Sequence, residues 1–179
     1  LRLDPLPPAS ADAFLQALLG ADPSLGPLTP LLITRTEGNP FFLEESVRTL
    51  VETGALAGER GRYRAVARIT RIAVPATVEE LLAHRIDRLA PADRRLLQCA
   101  AAIGREAPLA ILAAVAEEPA VPLPGSVSRL LAAELVHQAR TVAGSVCVFK
   151  HALTRETAYA SIPDHERPVH HVVERVTHE

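Results

Sequence analysis

The triplet Gly38-Asn39-Pro40 is the sequence feature that most restricts the fold of this chain. Glycine readily adopts the left-handed conformation that ends a helix. A residue before proline is shifted out of the helical region, and asparagine is a good helix N-cap. Proline, with a fixed φ and no N–H, suits the first helical position. The triplet therefore predicts a rigid corner between two helices, which Phe41 and Phe42 would brace.

Apolar residues recur at helical spacing on both sides of this corner, so the first half of the chain is predicted to be a helical bundle. Ser10 is expected to cap the first helix. Glu44 and Glu45 are expected in the first turn of the third helix, where the helix dipole favours carboxylates. The predicted elements are helices over 9–20 (ending at Gly20), 24–38, 40–54 and 74–89, the last with Val78, Leu82, Ile86 and Leu89 inward, and a hairpin over 55–69 that turns at Gly58 and Gly61.

The pattern changes after Ala90-Pro91. Three compact helices followed by a hairpin is the order of elements in a winged helix. The predicted elements are helices over 91–104, 107–118 and 125–135, strands over 135–141 and 145–150, and helices over 151–162 and 166–179. We therefore predict a mainly α chain with two domains. A helical bundle would occupy residues 1–90, and a winged helix with a small β-hairpin, leading into a further helical region, would occupy residues 91–179.

Composition excludes several classes of protein. The net charge of −2 gives no electrostatic reason to expect nucleic acid or an acidic membrane surface as a partner. No uninterrupted apolar run reaches the roughly 18 residues needed to span a bilayer. Cys99 and Cys147 lie far apart in apolar surroundings, which indicates buried free thiols and a reducing, cytoplasmic environment.

A phosphate-binding loop is missing from the sequence. The pattern G-x-x-x-x-G-K-[ST] needs a lysine after glycine, and the only lysine, Lys150, follows Phe149. No acidic pair follows an apolar strand either. These 179 residues therefore contain no complete active site for nucleotide hydrolysis.

Three blocks of sequence together resemble a known family. They are "RTEGNPFFLEESVRTLVETGAL", "VPATVEELLAHRIDRLAPADRRLLQCAAAIGRE" and "FKHALTRETAYASI". They look like the signal-transduction ATPases with numerous domains, the AAA-related STAND class. More narrowly, they resemble the bacterial branch in which the ATPase module follows adenylate or guanylate cyclase domains and precedes tetratricopeptide repeats. The resemblance covers nearly the whole chain.

The resemblance implies a role in nucleotide binding for four residues. In that family the equivalent region is the helical lid and winged helix that follow the nucleotide-binding core. The family's Gly-x-Pro turn lines the adenine side of the nucleotide and matches Gly38, Asn39 and Pro40. A winged-helix histidine reaches the β-phosphate of ADP in related modules, and His151 is the matching position.

The same resemblance implies cofactors and partners. ATP or ADP would be the ligand, with Mg²⁺ held by a core upstream of Leu1, and the parent protein would be an ATPase that also carries a nucleotidyl cyclase. The partners would be that core and downstream helical repeats of the same chain, with no DNA and no membrane. The segment would couple the ATP or ADP state to signalling in a multidomain protein similar to an adenylate or guanylate cyclase or to a transcriptional regulator.

His151 also has a simpler interpretation. It is predicted at the junction of a strand and a helix, where the unpaired N–H groups of the helix N-terminus favour an anion and Lys150 adjoins. The alternative is that His151 only packs at this junction.

Other functions remain open from the residues alone. The segment could be a nucleotide-independent helical interaction module. A winged helix that binds DNA needs basic residues on its third helix, which here carries only Arg129, set against Glu134. A metal site has no His-x-x-x-His pair to build on, so the terminal histidines predict a solvated helix: His165, His170, His171 and His178.

Overall fold

The structure is a computed structural model that describes residues 5–66, 75–115, 123–142 and 144–163. These residues form eight α-helices, one 3-10 helix and two small antiparallel sheets, so the protein is mainly α, as predicted. The chain divides into two compact units, Leu1–Leu81 and Leu82–Glu179. This division falls within the fourth helix, whereas the boundary expected from the sequence follows that helix at residue 90.

The first unit begins with three α-helices and a β-hairpin. The elements are α1 Pro8–Leu19, a 3-10 turn Pro23–Leu25, α2 Leu28–Thr36, α3 Pro40–Glu52, β1 Leu56–Glu59 and β2 Arg62–Ala65. Leucines from all three helices are fully buried in one core, among them Leu15, Leu28, Leu32 and Leu43. The predicted order of helix, proline-interrupted helix, helix and hairpin is confirmed.

The start of α1 differs from the prediction. The helix begins at Pro8, with Pro7 before it, so Ser10 lies inside the helix and does not cap it. Proline is favoured in the first turn because its φ is already helical and it has no N–H to leave unpaired. That preference starts the helix earlier than the serine does. The predicted end at Gly20 is confirmed.

The two glutamates of α3 also lie elsewhere than predicted. Because the helix starts at Pro40, its first turn is complete before Glu44 and contains no acidic residue. Glu45 is buried, and its carboxylate lies 3.5 Å from the Arg48 Nε atom. An intrahelical ion pair therefore stabilises this carboxylate, in place of the expected interaction with the helix dipole.

The hairpin turns at one glycine and not at two. Glu59 pairs with Arg62, which leaves Arg60-Gly61 as a two-residue loop. Gly58 lies within β1 at φ +120°, so its prediction as a turn residue was wrong. The Gly61 N–H donates to the carbonyl oxygen of Leu18 at 2.8 Å, which fixes the hairpin against the end of α1.

Helix α4 spans Val78–Asp87 and has a polar cap at its start. The Glu80 N–H donates to Thr77 Oγ1 at 3.2 Å, and the Glu80 carboxylate accepts from the Ala76 N–H at 3.0 Å. This is close to the reciprocal arrangement of a capping box. Three of the residues predicted to point inward are buried: Val78, Leu82 and Ile86. The fourth, Leu89, follows the helix and is only partly buried.

The second unit continues with four helices and a three-stranded sheet. The elements are α5 Pro91–Ile103, β3 Glu106–Pro108, α6 Leu109–Val115, α7 Leu123–Ala132, β4 Val136–Thr141, β5 Gly144–Phe149 and α8 Ala152–Ala160. The strands are antiparallel in the order β3-β5-β4. The predicted helix over residues 166–179 lies outside the described residues.

Strand β3 was missed by the sequence prediction. Residues 107–108 were expected at the start of a helix, but they belong to a strand and the helix starts at Leu109. Ala107 pairs with Cys147, forty residues away, and is fully buried. A three-residue strand with no periodicity of its own can be recognised only from its partner.

The core of the second unit lies between the helices and one face of the sheet. Cys147 and Phe149 of β5 pack with Leu97 of α5 and Leu130 of α7 in one buried cluster. Both cysteines are free and buried, as predicted. Among the described residues, every helix is too short or too polar to cross a bilayer.

Candidate functional site

Gly38 is required by the backbone geometry of the corner. Its φ is +74°, and Glu37 before it is also left-handed at φ +51°. A Cβ atom on Gly38 would lie 2.4 Å from the carbonyl oxygen of Leu6, which is closer than such atoms can approach. The Leu6 N–H donates to the Gly38 carbonyl oxygen at 2.8 Å. Gly38 is therefore buried beneath the backbone that enters α1.

Asn39 is the N-cap of α3, as predicted. Its Oδ1 atom accepts from the N–H groups of Phe41 at 3.1 Å and Phe42 at 3.2 Å. Its backbone is extended, at φ −66° and ψ 114°, which is the conformation favoured before Pro40. The amide oxygen of Asn39 is therefore engaged in holding the first turn of the helix.

Pro40 is the residue of the triplet that offers an apolar surface. It occupies the first position of α3 and is half-buried, as is Phe41, whereas Phe42 is buried. A proline ring loses no side-chain entropy when a flat partner packs on it. Of the three predicted corner residues, Pro40 is thus the one suited to direct contact with a base, while Gly38 and Asn39 set its position.

His151 is the N-cap of α8, immediately after the last strand. Its Nδ1 atom accepts from the Leu153 N–H at 3.3 Å, and its backbone is extended at φ −139° and ψ 143°. Because Nδ1 accepts a hydrogen bond, the neutral ring carries its proton on Nε2. A donor from this ring to a phosphate oxygen would therefore be the Nε2–H group.

The electrostatic surroundings of His151 favour the neutral ring. Burial lowers the pKa of His151 below its usual value, and the carboxylate of Glu156 acts in the opposite direction. The charge of the neighbouring Lys150 is already balanced, because its Nζ atom lies 2.5 Å from Glu134 Oε2. This pairing weakens the expected contribution of Lys150 to an anion site. The sequence did not indicate it, because Glu134 lies 16 residues before Lys150.

The four predicted site residues fall in different units. Gly38, Asn39 and Pro40 belong to the first unit, where they form one continuous corner. His151 belongs to the second. The sequence did not predict a role for Leu6, whose backbone covers Gly38. A main-chain contact does not depend on the type of residue that makes it.

The arginine of α7, the third helix of the second unit, forms an ion pair with Asp93 of α5. Arg129 donates from Nε and from one terminal nitrogen to the two carboxylate oxygens of Asp93, each at 2.7 Å. Asp93 is buried, and Glu134 pairs with Lys150. The one arginine of this helix therefore pairs with a carboxylate of the same unit.

A cavity of about 380 Å³ lies between α5 and α8 of the second unit. It is lined by Ala101, Ala102, Arg155, Glu156 and Tyr159. His151 is not part of this lining, so the cavity is separate from the predicted nucleotide contact. Within the described ranges, no three His, Cys, Asp or Glu side chains come together as metal ligands. The four terminal histidines lie beyond those ranges.

Comparison with known proteins adds no relative. No protein-family model, no curated protein and no solved structure matches this chain. The resemblance to STAND ATPases therefore stays a prediction from the sequence blocks around Gly38, Ala90 and His151.

Proposed function

We propose that this chain is the regulatory lid and winged-helix segment of a STAND-type signalling ATPase. The first unit would be the lid, contacting adenine through Pro40, and the second would be the winged helix, contacting phosphate through His151. The nucleotide-binding core, with its phosphate loop and Mg²⁺, would lie upstream. The parent protein would be of the adenylate or guanylate cyclase type followed by helical repeats.

The observation that carries this proposal is the hydrogen bond from the Leu153 N–H to His151 Nδ1. It orients the ring at the start of α8 and fixes its neutral form with a donor at Nε2. A neutral donor beside a helix N-terminus suits the oxygen of a diphosphate. The order α5-β3-α6-α7-β4-β5 supports the winged-helix assignment, since three helices precede the hairpin.

The segment would act by changing between two conformations. A nucleotide shifts an equilibrium only toward a form that binds it more tightly. Contacts from both Pro40 and His151 would stabilise a closed form with ADP. ATP would favour an open form that signals. The bound nucleotide supplies the phosphate and base that these residues recognise, and hydrolysis belongs to the upstream core.

Calorimetric titration with ADP tests the proposal. We expect no binding to the 179-residue chain alone and clear binding to a chain extended upstream to include the core. In the extended chain, His151→Ala should weaken ADP binding by about tenfold, the value of one hydrogen bond to a charged group. Lys150→Ala is the matched control, because its charge is balanced by Glu134, and it should weaken the affinity much less.

Two results would reject the proposal. The first is an upstream reading frame without a phosphate-binding loop. The second is an extended chain in which His151→Ala binds ADP as tightly as the unsubstituted protein. Either result would favour a helical interaction module that needs no nucleotide. That second candidate is supported by the corner itself, where local contacts already account for Gly38 and Asn39.

A further inference from the structure

Strand β4 has an open edge that the proposed function does not use. In the order β3-β5-β4, β5 is central, and among the described residues β4 pairs on one side only. The Lys150 N–H donates to the Leu135 carbonyl oxygen at 3.3 Å, one step beyond the pair Val136–Phe149. Leu135 and Lys150 are therefore a hydrogen-bonded pair of this antiparallel ladder.

The position of that pair determines which backbone groups face outward. Hydrogen-bonded and non-hydrogen-bonded pairs alternate along an antiparallel ladder. His137 and Ala139 therefore bond to β5, while Val136, Gln138 and Arg140 direct their N–H and C=O groups away from it. The side chains of Gln138 and Arg140 are exposed, so none of the residues that the structure describes covers this edge there.

We propose that β4 pairs with β4 of a second copy of this chain, antiparallel and centred on Gln138. In this register Gln138 lies opposite itself, and Val136 lies opposite Arg140 at both ends. Every outward N–H then meets an outward carbonyl oxygen. Two three-stranded sheets would join into one continuous sheet, which is the usual way in which an exposed strand edge is satisfied by another chain.

The charges of the strand favour a second copy as the partner. Arg140 of one copy lies opposite the uncharged Val136 of the other, so no arginine faces another arginine across the pair. The pairing therefore places no like charges directly opposite each other.

The interface would be small. Pairing along one six-residue strand buries less than the roughly 1,200 Å² typical of stable complexes, so we expect weak, concentration-dependent association. Sedimentation velocity of the chain over a wide concentration range should show a rise in mass. Gln138→Pro removes one outward N–H at an edge position where proline is tolerated and should abolish the rise, whereas Gln138→Thr keeps the N–H and should retain it.

Cysteine cross-linking tests the register directly. A residue opposite itself in a hydrogen-bonded pair has Cα atoms about 5.5 Å apart, within the range of a disulfide. Gln138→Cys should therefore form a covalent dimer under mild oxidation. Arg140→Cys is the matched control, because its counterpart would lie more than 7 Å away, beyond disulfide reach. Cys99 and Cys147 are buried and should not contribute.

Three results would overturn the proposal. They are a chain that stays monomeric at all concentrations, a Gln138→Pro variant that still associates while folded by circular dichroism, and equal cross-linking at positions 138 and 140. Loss of ADP binding would not bear on it, since none of these measurements involves nucleotide.

Discussion

The Arg129 guanidinium binds both carboxylate oxygens of Asp93 at 2.7 Å, which joins α7 to the first turn of α5. Asp93 is buried, while the Arg129 side chain is about half exposed. The hydrogen bond from Arg129 holds the pKa of Asp93 below its usual value, and burial acts against it. The pair therefore fixes two helices of the second unit relative to each other.

Removing the charge of Asp93 should destabilise the second unit. Asp93→Asn keeps the shape of the side chain but weakens its bonds to the guanidinium, and we expect a loss of about 1–2 kcal/mol in the free energy of unfolding measured with urea. Asp87→Asn is the matched control, since Asp87 pairs with Arg94 at 3.1 Å on the surface. It should change stability much less. Equal losses in the two variants would show that the Asp93–Arg129 pair has no special role.

A pH dependence follows from the same pair. The folded pKa of Asp93 is lower than its unfolded value of 3.8, so its stabilising contribution is present above pH 3.8 and is lost as pH falls through the folded pKa. Urea titrations of the unsubstituted chain and Asp93→Asn should therefore differ at neutral pH and converge in acid. A difference that persists unchanged at the lowest pH would contradict this.

Gly38→Ala should be more damaging than the same change at another left-handed glycine. Gly54→Ala is the control, because Gly54 has φ +73° but no atom within 4 Å of a new Cβ. It should cost about 1–2 kcal/mol, the penalty of the left-handed conformation alone. Gly38 has nearly the same φ but meets Leu6 at 2.4 Å, so thermal unfolding should show a clearly larger loss. Equal losses would mean that the Leu6 backbone moves aside freely.

Replacing the cap of α3 should have a graded effect. Asn39→Ala removes the acceptor for Phe41 and Phe42 and should cost about 1 kcal/mol in the free energy of unfolding. Asn39→Asp retains an oxygen in the same place and should stay within a few tenths of a kcal/mol of the parent. Chemical denaturation of the three proteins measures this, and a loss in the aspartate variant as large as that in alanine would contradict the capping role.

The corner could be predicted from sequence because its causes are local. Gly38, Asn39 and Pro40 each act within a turn of helix through φ preference, side-chain capping or a missing N–H. The helices on both sides followed from apolar spacing for the same reason. Where two local signals competed, as Pro8 and Ser10 did, the sequence did not reveal which would start the helix.

Contacts between residues far apart in the sequence could not be predicted from local sequence patterns. The pairing of Ala107 with Cys147, of Arg129 with Asp93 and of Lys150 with Glu134 depends on the tertiary fold. His151 has one feature that could be predicted from the sequence and one that could not. Its place at a strand–helix junction was predicted and is confirmed, but the acceptor role of Nδ1 appears only in the structure.

His151 should make stability fall in weak acid. Burial lowers its folded pKa below the ordinary value of 6.5, so its contribution is fully present above pH 6.5 and is lost as pH falls toward the folded pKa. Protonation of Nδ1 would also remove the acceptor for the Leu153 N–H. His151→Asn keeps a capping oxygen but cannot titrate. Urea denaturation from pH 8 to pH 5 should show the parent losing stability relative to this variant, and a constant difference would exclude protonation at His151 as the cause.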